Sequence, residues 1–422
     1  VSVFLSASAS VFDSLRGSTV EAAMLGDSYV ANAAGGAPTT RLDYRNMLAH
    51  ANNVMGGPLR IRLAAMQGVS GETAAQILAR VATVTGLVPR PKYCFVSAGN
   101  NDVHTGVATA TTIANVTAIR DALNAAGIVM ITGPVLPRDT WTAGQRTDRE
   151  TVNSAIAALD NDRTMIWCDW ESATVDGGTG FCLANILYDG IHPGTRGARA
   201  MGDVIATRMG ALLPKDAPIA RVVDPMRNYF NNGHMAGSTA INSQGWTGTT
   251  ATSWTTGFRS AVPDTALGTT TVSKVARSDG DGDWVQLNVS GVRHSDTGGW
   301  GGALSQTITP NTQGLFAGDW VESVVEFEVD AGAANLAGVG VTISESDGAT
   351  NYTGNWTRFV TGGGAQQYST WTGTTRLVVR TIPIQLRPGT ASLFIRPGFA
   401  GEAYEAAGVS CVIRFRCALR KI

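Results

Sequence analysis

The stretch Val20-Glu21-Ala22-Ala23-Met24-Leu25-Gly26-Asp27-Ser28 runs from a short apolar segment straight into a glycine, a carboxylate and a hydroxyl. A run of this length, closed by small polar residues, reads as a buried strand that leaves its sheet at Gly26. Similar runs follow at residues 60–64, 93–97, 128–132 and 165–167. Helical patterns cover residues 44–52, 73–84, 111–126, 147–159 and 195–213. Strands that alternate with helices predict a five-stranded parallel sheet with helices on both faces, an α/β/α three-layer domain. Loops leaving the carboxyl ends of such strands share one edge, and ligands bind there near the point where strand order reverses.

Working outward, Leu213-Pro214-Lys215-Asp216-Ala217-Pro218 ends the last helix with two prolines and reads as a linker. It divides the 422 residues into units 1–219 and 220–422, as expected for a chain well beyond ordinary domain size. The second unit is rich in Thr, Gly, Ser and Asn and carries period-two runs such as Val324-Val325-Glu326-Phe327-Glu328-Val329. That alternation, punctuated by turn residues, predicts an all-β sandwich or jelly-roll-like domain. With 44% hydrophobic and 15% charged residues the chain has enough apolar material for real cores. Its formal net charge of −1 argues against nucleic-acid binding, and no apolar run approaches the roughly 20 residues of a membrane-spanning helix.

The hydroxyl of Ser28 follows the first strand directly, at a position suited to a nucleophile. A serine needs an imidazole to take its proton and a carboxylate to fix that imidazole's tautomer. Asp189-Gly190-Ile191-His192-Pro193, just before the last helix, supplies both within one turn. Among the five histidines, His50 and His234 have no carboxylate nearby in sequence, and His104 and His294 have one only two residues away. Acyl transfer also needs donors aimed at the developing oxyanion. Ser70-Gly71-Glu72-Thr73 and Gly99-Asn100-Asn101-Asp102 follow the second and third strands and offer a backbone N–H at Gly71 and a side-chain amide. Each motif alone is ordinary turn or helix-cap chemistry. Their joint placement is not.

Together the four blocks Gly26-Asp27-Ser28, Ser70-Gly71, Gly99-Asn100-Asn101-Asp102 and Asp189-Gly190-Ile191-His192 resemble the SGNH/GDSL hydrolase family in order and spacing. The resemblance covers residues 20–213 and implies a flavodoxin-like fold and ester hydrolysis through an acyl-enzyme, without cofactor or metal. It implies Ser28 as nucleophile, His192 as general base and Asp189 as its partner. The implied oxyanion hole is the Ser28 N–H, the Gly71 N–H and the Asn101 amide. Asp27 and Asp102 are expected to hold loops. Tyr29 replaces the leucine of the family's motif and is expected at the site wall. Residues 32–40 and 137–146 are expected to supply further walls, with Trp141 lining an acyl or sugar site.

The expected substrate is an ester, foremost an acetyl ester of a carbohydrate, with an acylated polysaccharide as the candidate carrier. Lipid-like esters and thioesters are the alternatives, as is a binding or virion-associated structural protein with a vestigial hydrolase domain. Trp246, Trp254, Trp300, Trp356 and Trp371 are candidates for sugar stacking, against the commoner reading of sandwich aromatics as core. Asp279-Gly280-Asp281-Gly282-Asp283 reads as a calcium loop or a solvated turn. Cys168 and Cys182 are candidates for a disulfide in an oxidising compartment, whereas Cys411 and Cys417 share one strand and should not bridge. The first residue is valine, consistent with a removed secretory signal, so an extracellular or cell-surface location is expected. Oligomeric state is left open.

Overall fold

The computed structural model describes residues 19–33, 45–213, 238–243, 246–250, 254–258, 268–278, 282–292, 302–347, 351–360, 373–401 and 408–422. In the N-terminal unit the strands are β1 (Val20–Gly26), β2 (Leu59–Gly68), β3 (Tyr93–Ser97), β4 (Val129–Thr132) and β5 (Met165–Trp167). They form one all-parallel sheet in the order β2-β1-β3-β4-β5. This is the flavodoxin-like order, and its direction reverses between β1 and β3.

Successive residues of the strands feed opposite cores. Ala22 and Met24 of β1, Phe95 of β3 and Ile131 of β4 join one cluster, with Met47, Met201 and Ile205. Ala23 and Leu25, Cys94 and Val96, and Met130 join the other, with Ile77, Ile119 and Val152. Both faces of the inner strands are therefore dry, which is why these read as largely unbroken apolar runs, whereas the edge strand β2 carries Arg60 and Arg62. The helices are α1 (Ser28–Ala33), α2 (Met47–Val54), α3 (Ala74–Ala79), α4 (Ala82–Thr85), α5 (Asn100–Thr105), α6 (Thr109–Ala125), α7 (Ala143–Ala157), α8 (Glu171–Thr174) and α9 (Thr195–Gly210).

Several boundaries differ from expectation; the second strand, expected over 60–64, spans Leu59–Gly68. Helix α7 starts four residues earlier than the pattern suggests, because Thr142 and Gln145 form a capping box. The helix expected over 73–84 is two pieces. At the break Arg80 turns its guanidinium to Glu72 and the Gly26 carbonyl. Ser28 does not sit in an open turn but begins a helix.

The C-terminal unit is a sandwich. One sheet orders the strands Thr375–Arg380, Trp320–Val329, Val409–Lys421, Asp283–Val292, Thr269–Ala276, Trp246–Thr250 and Thr239–Ser243, with Ile384–Gln385 beside the second. The other orders Asn351–Val360, Leu336–Ser346, Ser392–Gly401, Gly302–Ile308 and Thr255–Phe258. Pairing is antiparallel except between Trp246–Thr250 and Thr269–Ala276. Val325, Phe327, Leu287 and Phe415 from one sheet meet Val341, Ile343, Ile395 and Phe399 from the other in one core. On the reverse face Glu326 pairs with Arg416 at 2.7 Å and Glu328 with Arg414 at 2.9 Å, in ladder register.

The two units meet at the edge strand β2. Glu322, fully buried, accepts from Arg60 of β2 at 3.0 and 3.3 Å and from Arg380 of its own sheet. Arg380 also donates to the Gly57 carbonyl at 2.9 Å, and Ile382 joins the N-terminal core. Burial works against ionisation of Glu322, but the guanidinium groups of Arg380, Arg60 and Arg420 outweigh it and hold the carboxyl below its usual range. Removing one partner of such a cluster leaves charge buried without compensation. Glu322→Ala should cost about 3–5 kcal/mol and separate the melting of the two units in calorimetry; an unchanged melting profile would contradict this account of the junction.

Candidate active site

Ser28 enters at the first turn of α1, and α1 lies directly on the end of β2. A Cβ at Gly68 would lie 2.2 Å from the Ala31 backbone nitrogen, so only glycine lets the helix approach this closely. Asp27 ties the same corner together. Its Oδ1 accepts from the Tyr29 N–H at 3.0 Å and from the Ser97 hydroxyl, at the end of β3, at 2.9 Å. The candidate nucleophile thus stands where the sheet reverses its order.

The candidate base comes from the loop before α9. Asp189 Oδ1 accepts from the backbone N–H groups of Ile191 and His192 at 3.0 and 2.8 Å. This tight turn places Gly190 at φ +78°, a conformation that side-chain-bearing residues resist. Asp189 Oδ2 meets His192 Nδ1 at 2.7 Å, and His192 Nε2 meets Ser28 Oγ at 2.9 Å. With Nδ1–H donated to the carboxylate, Nε2 is left as the acceptor for the serine proton. Partial burial works to raise the Asp189 pKa, but the bonds from His192 and the two backbone donors prevail and hold it below its usual range. The site is reachable: the His192 and Asp189 side chains are 18% and 35% exposed.

The donor side is assembled alongside. Asn101, on α5, donates from Nδ2 to the Glu72 carbonyl at 2.9 Å, which brings the Gly71 loop and the Asn101 amide together. Asp102 accepts from the Ala74 N–H at 2.8 Å and so anchors the start of α3. Asp27 and Asp102 therefore bond loops and helix ends, as expected.

Residues 24–200 match the GDSL-like lipase/acylhydrolase family. This part of the chain is a GDSL-like lipase/acylhydrolase domain. Among solved structures, the chain is similar to a GDSL-like lipase from Bacteroides thetaiotaomicron, at 19% identity over 46% of this chain and 90% of that one, TM-score 0.37. It is also similar to a carbohydrate esterase family 3 protein from Talaromyces cellulolyticus, at 18% identity over 46% and 98%, TM-score 0.35. A psychrotrophic esterase from Pseudoalteromonas sp. aligns at 15% identity over 46% and 98%, TM-score 0.35. No curated protein matches the chain.

One residue of the GDSL-like domain stands elsewhere than expected. Tyr29 is buried beside the site, its ring edge-on to His192 with centroids 6.1 Å apart; its hydroxyl donates to the Ile191 carbonyl at 2.9 Å and accepts from Asn100 Nδ2 at 3.3 Å. A phenol here braces the histidine loop, which leucine has no atom to do. Trp141 does not stand at the site; it packs in the core under α7 with its indole N–H 3.4 Å from His104 Nδ1. Its apolar area outweighs its polar neighbours in sequence.

Cys168 and Cys182 are free thiols, Cys168 buried in the core and Cys182 against the Pro137 carbonyl. Trp246 and Trp254 are buried in the sandwich, so neither is a sugar platform. Trp300 and Trp371, the side chain of Trp356, residues 34–40 of the expected wall and most of the 279–283 loop lie outside what the structure describes. Among the described residues no cluster of His, Cys, Asp and Glu could hold a metal ion, and no helix is long and apolar enough to cross a membrane.

Sequence reasoning passed over three residues at this site. Tyr188 stacks on His192 with ring centroids 5.9 Å apart, and the Arg45 guanidinium lies 5.1 Å from the Tyr188 ring. Asn100 and Arg138 flank Asn101. The only signal for Arg138 was a basic residue in a loop already suspected of walling the site.

Burial pushes the Asp27 carboxyl up to about 6, and its Oδ2 has no hydrogen-bond partner. The folded state therefore binds this proton more tightly than the unfolded chain, whose aspartates titrate near 4. The stability that this preference contributes is complete below about pH 4 and is lost as the pH rises through 6. Asp27→Asn keeps the Oδ1 acceptor and removes the charge. Its stability relative to wild type, measured by denaturant titration, should rise by up to about 3 kcal/mol between pH 4 and 7; a difference independent of pH would contradict the assignment.

Proposed function

We propose that the chain is a carboxylic-ester hydrolase that works through a seryl acyl-enzyme, and that its preferred substrate is a short acyl ester, foremost an acetyl ester, of a carbohydrate. The observation that carries this reading is the continuous hydrogen-bonded chain from Asp189 through His192 to Ser28, 2.7 and 2.9 Å long. In the first step Ser28 Oγ attacks the ester carbonyl while His192 Nε2 takes its proton and Asp189 stabilises the imidazolium. The oxyanion that forms is met by the Ser28 N–H, the Gly71 N–H and the Asn101 amide. Collapse expels the alcohol, which takes the proton from His192. Water, deprotonated by the same imidazole, then releases the acid.

The acetyl-carbohydrate reading is supported by how open the triad is. With His192 18% and Asp189 35% exposed, the scissile bond can be presented by an alcohol much larger than the acyl group. A secreted or surface-associated setting fits such a substrate.

Two measurements test this. On p-nitrophenyl acetate, His192→Ala should lower turnover by about 10²–10⁴-fold and Ser28→Ala by at least as much, with circular dichroism unchanged. Across p-nitrophenyl esters of increasing acyl length and a panel of acetylated glycans, activity should be highest for acetyl and extend to the glycans. Full activity in either variant refutes the triad, and a preference for long acyl chains refutes the carbohydrate assignment in favour of a lipolytic one.

A further inference from the structure

Arg138 lies on the loop between β4 and α7, and its side chain is almost fully buried beside the donor half of the site. Its Nε donates to Asn100 Oδ1 at 2.7 Å and its Nη2 to Asn101 Oδ1 at 2.7 Å. One planar guanidinium thus holds two consecutive side-chain amides by their oxygens. Among the described residues Arg138 makes no ion pair within 4.0 Å, so its charge is not cancelled by a carboxylate in contact with it.

These bonds have two consequences. An amide whose oxygen is claimed by a cation cannot turn over, so its NH2 group must face the other way. One hydrogen of Asn101 Nδ2 is spent on the Glu72 carbonyl, and the other has no partner among the described residues. A cation bound at the oxygen also draws electron density from the amide and strengthens the remaining N–H as a donor. The second amide extends the arrangement. Asn100 Nδ2 donates to the Leu136 carbonyl at 3.0 Å and to the Tyr29 hydroxyl at 3.3 Å, and Tyr29 donates to the carbonyl of Ile191, the residue before His192. A single buried chain of hydrogen bonds therefore runs from the oxyanion donor through Arg138 to the loop that carries the base.

We propose that Arg138 is the positioning residue of this site: its guanidinium fixes and polarises the Asn101 amide toward the oxyanion and, through Asn100 and Tyr29, keeps that donor in register with the His192 loop. The proposal rests on the serine-hydrolase reading above. It makes Arg138 act in the transition state rather than in ground-state binding, because the oxyanion forms only there. Lysine is a poor substitute, since an ammonium does not present the fork that spans two amides.

The test uses full-length protein and p-nitrophenyl acetate. Arg138→Ala and Arg138→Lys should each lower kcat by about 10²–10³-fold, the loss typical of one oxyanion donor, while KM changes by less than about threefold. Millimolar guanidinium, below any denaturing concentration, should restore at least about tenfold of kcat to Arg138→Ala, while ammonium should restore none. In the Asn101→Ala background, Arg138→Lys should cost less than about threefold more, because the two residues act as one unit. Arg138→Lys retains both charge and bulk, so it carries the test if Arg138→Ala does not fold. The proposal is overturned by kcat within threefold of wild type, by a loss confined to KM, or by losses that multiply in the double variant. Wild-type protein inert toward every ester would instead sink the serine-hydrolase reading itself.

Discussion

A hydroxyl from residue 28 and an imidazole from residue 192 are held 2.9 Å apart, and the N-terminal half of the chain is organised around keeping that distance. Serine does not attack esters at neutral pH unless a base is already in hydrogen-bond contact, and the two residues have no local reason to meet. What brings them together is strand order. Because β1 lies between β2 and β3 and runs parallel to both, the loops after all three strands open on the same edge. Gly68 lets α1 settle onto β2, Asp27 links β1 to β3, and the Asx-type turn at Asp189 presents both its own carboxylate and the imidazole. The cost of this corner is visible in Asp27, a buried carboxyl pushed up to about 6 with one oxygen unpaired. Such strain is tolerated because the fold holds the group where hydrogen bonds to its other oxygen position the nucleophile.

The candidate site residues were legible in the sequence. Ser28, Gly71, Asn101, Asp189 and His192 each follow a strand or precede a helix, and period and turn chemistry suffice to find such places. The inner strands of the parallel sheet were legible for the same reason, since two-sided burial leaves largely apolar runs, while the edge strand β2 was read only over 60–64 of its residues 59–68. Arg138, Asn100 and Tyr188 were not, because what matters about each is a partner distant in sequence and a direction that no local pattern encodes. Trp141 was misread in the same way. An aromatic in a polar stretch looks like a surface group, yet it turns inward to fill a core. In the sandwich, Glu326 and Glu328 and their partners Arg416 and Arg414 alternate visibly with apolar residues, but their pairing depends on a strand order that the sequence does not state.

The C-terminal unit is coupled to the hydrolase half by charge as well as by apolar contact. Glu322 is buried between an arginine of the edge strand and one of its own sheet, and Arg60 is further tied to Glu21, which also binds Arg62. Buried pairs of this kind add little net stability, but breaking them is expensive, so they specify one docking arrangement over others.

The central claim is that the Ser28 hydroxyl is activated by His192, and covalent capture by a fluorophosphonate tests it most directly. Intact-mass measurement and peptide mapping should find one adduct per chain, on Ser28, with labelling at least about 10²-fold slower in His192→Ala. An adduct on another residue, or labelling of Ser28 that is indifferent to the loss of His192, would contradict the account.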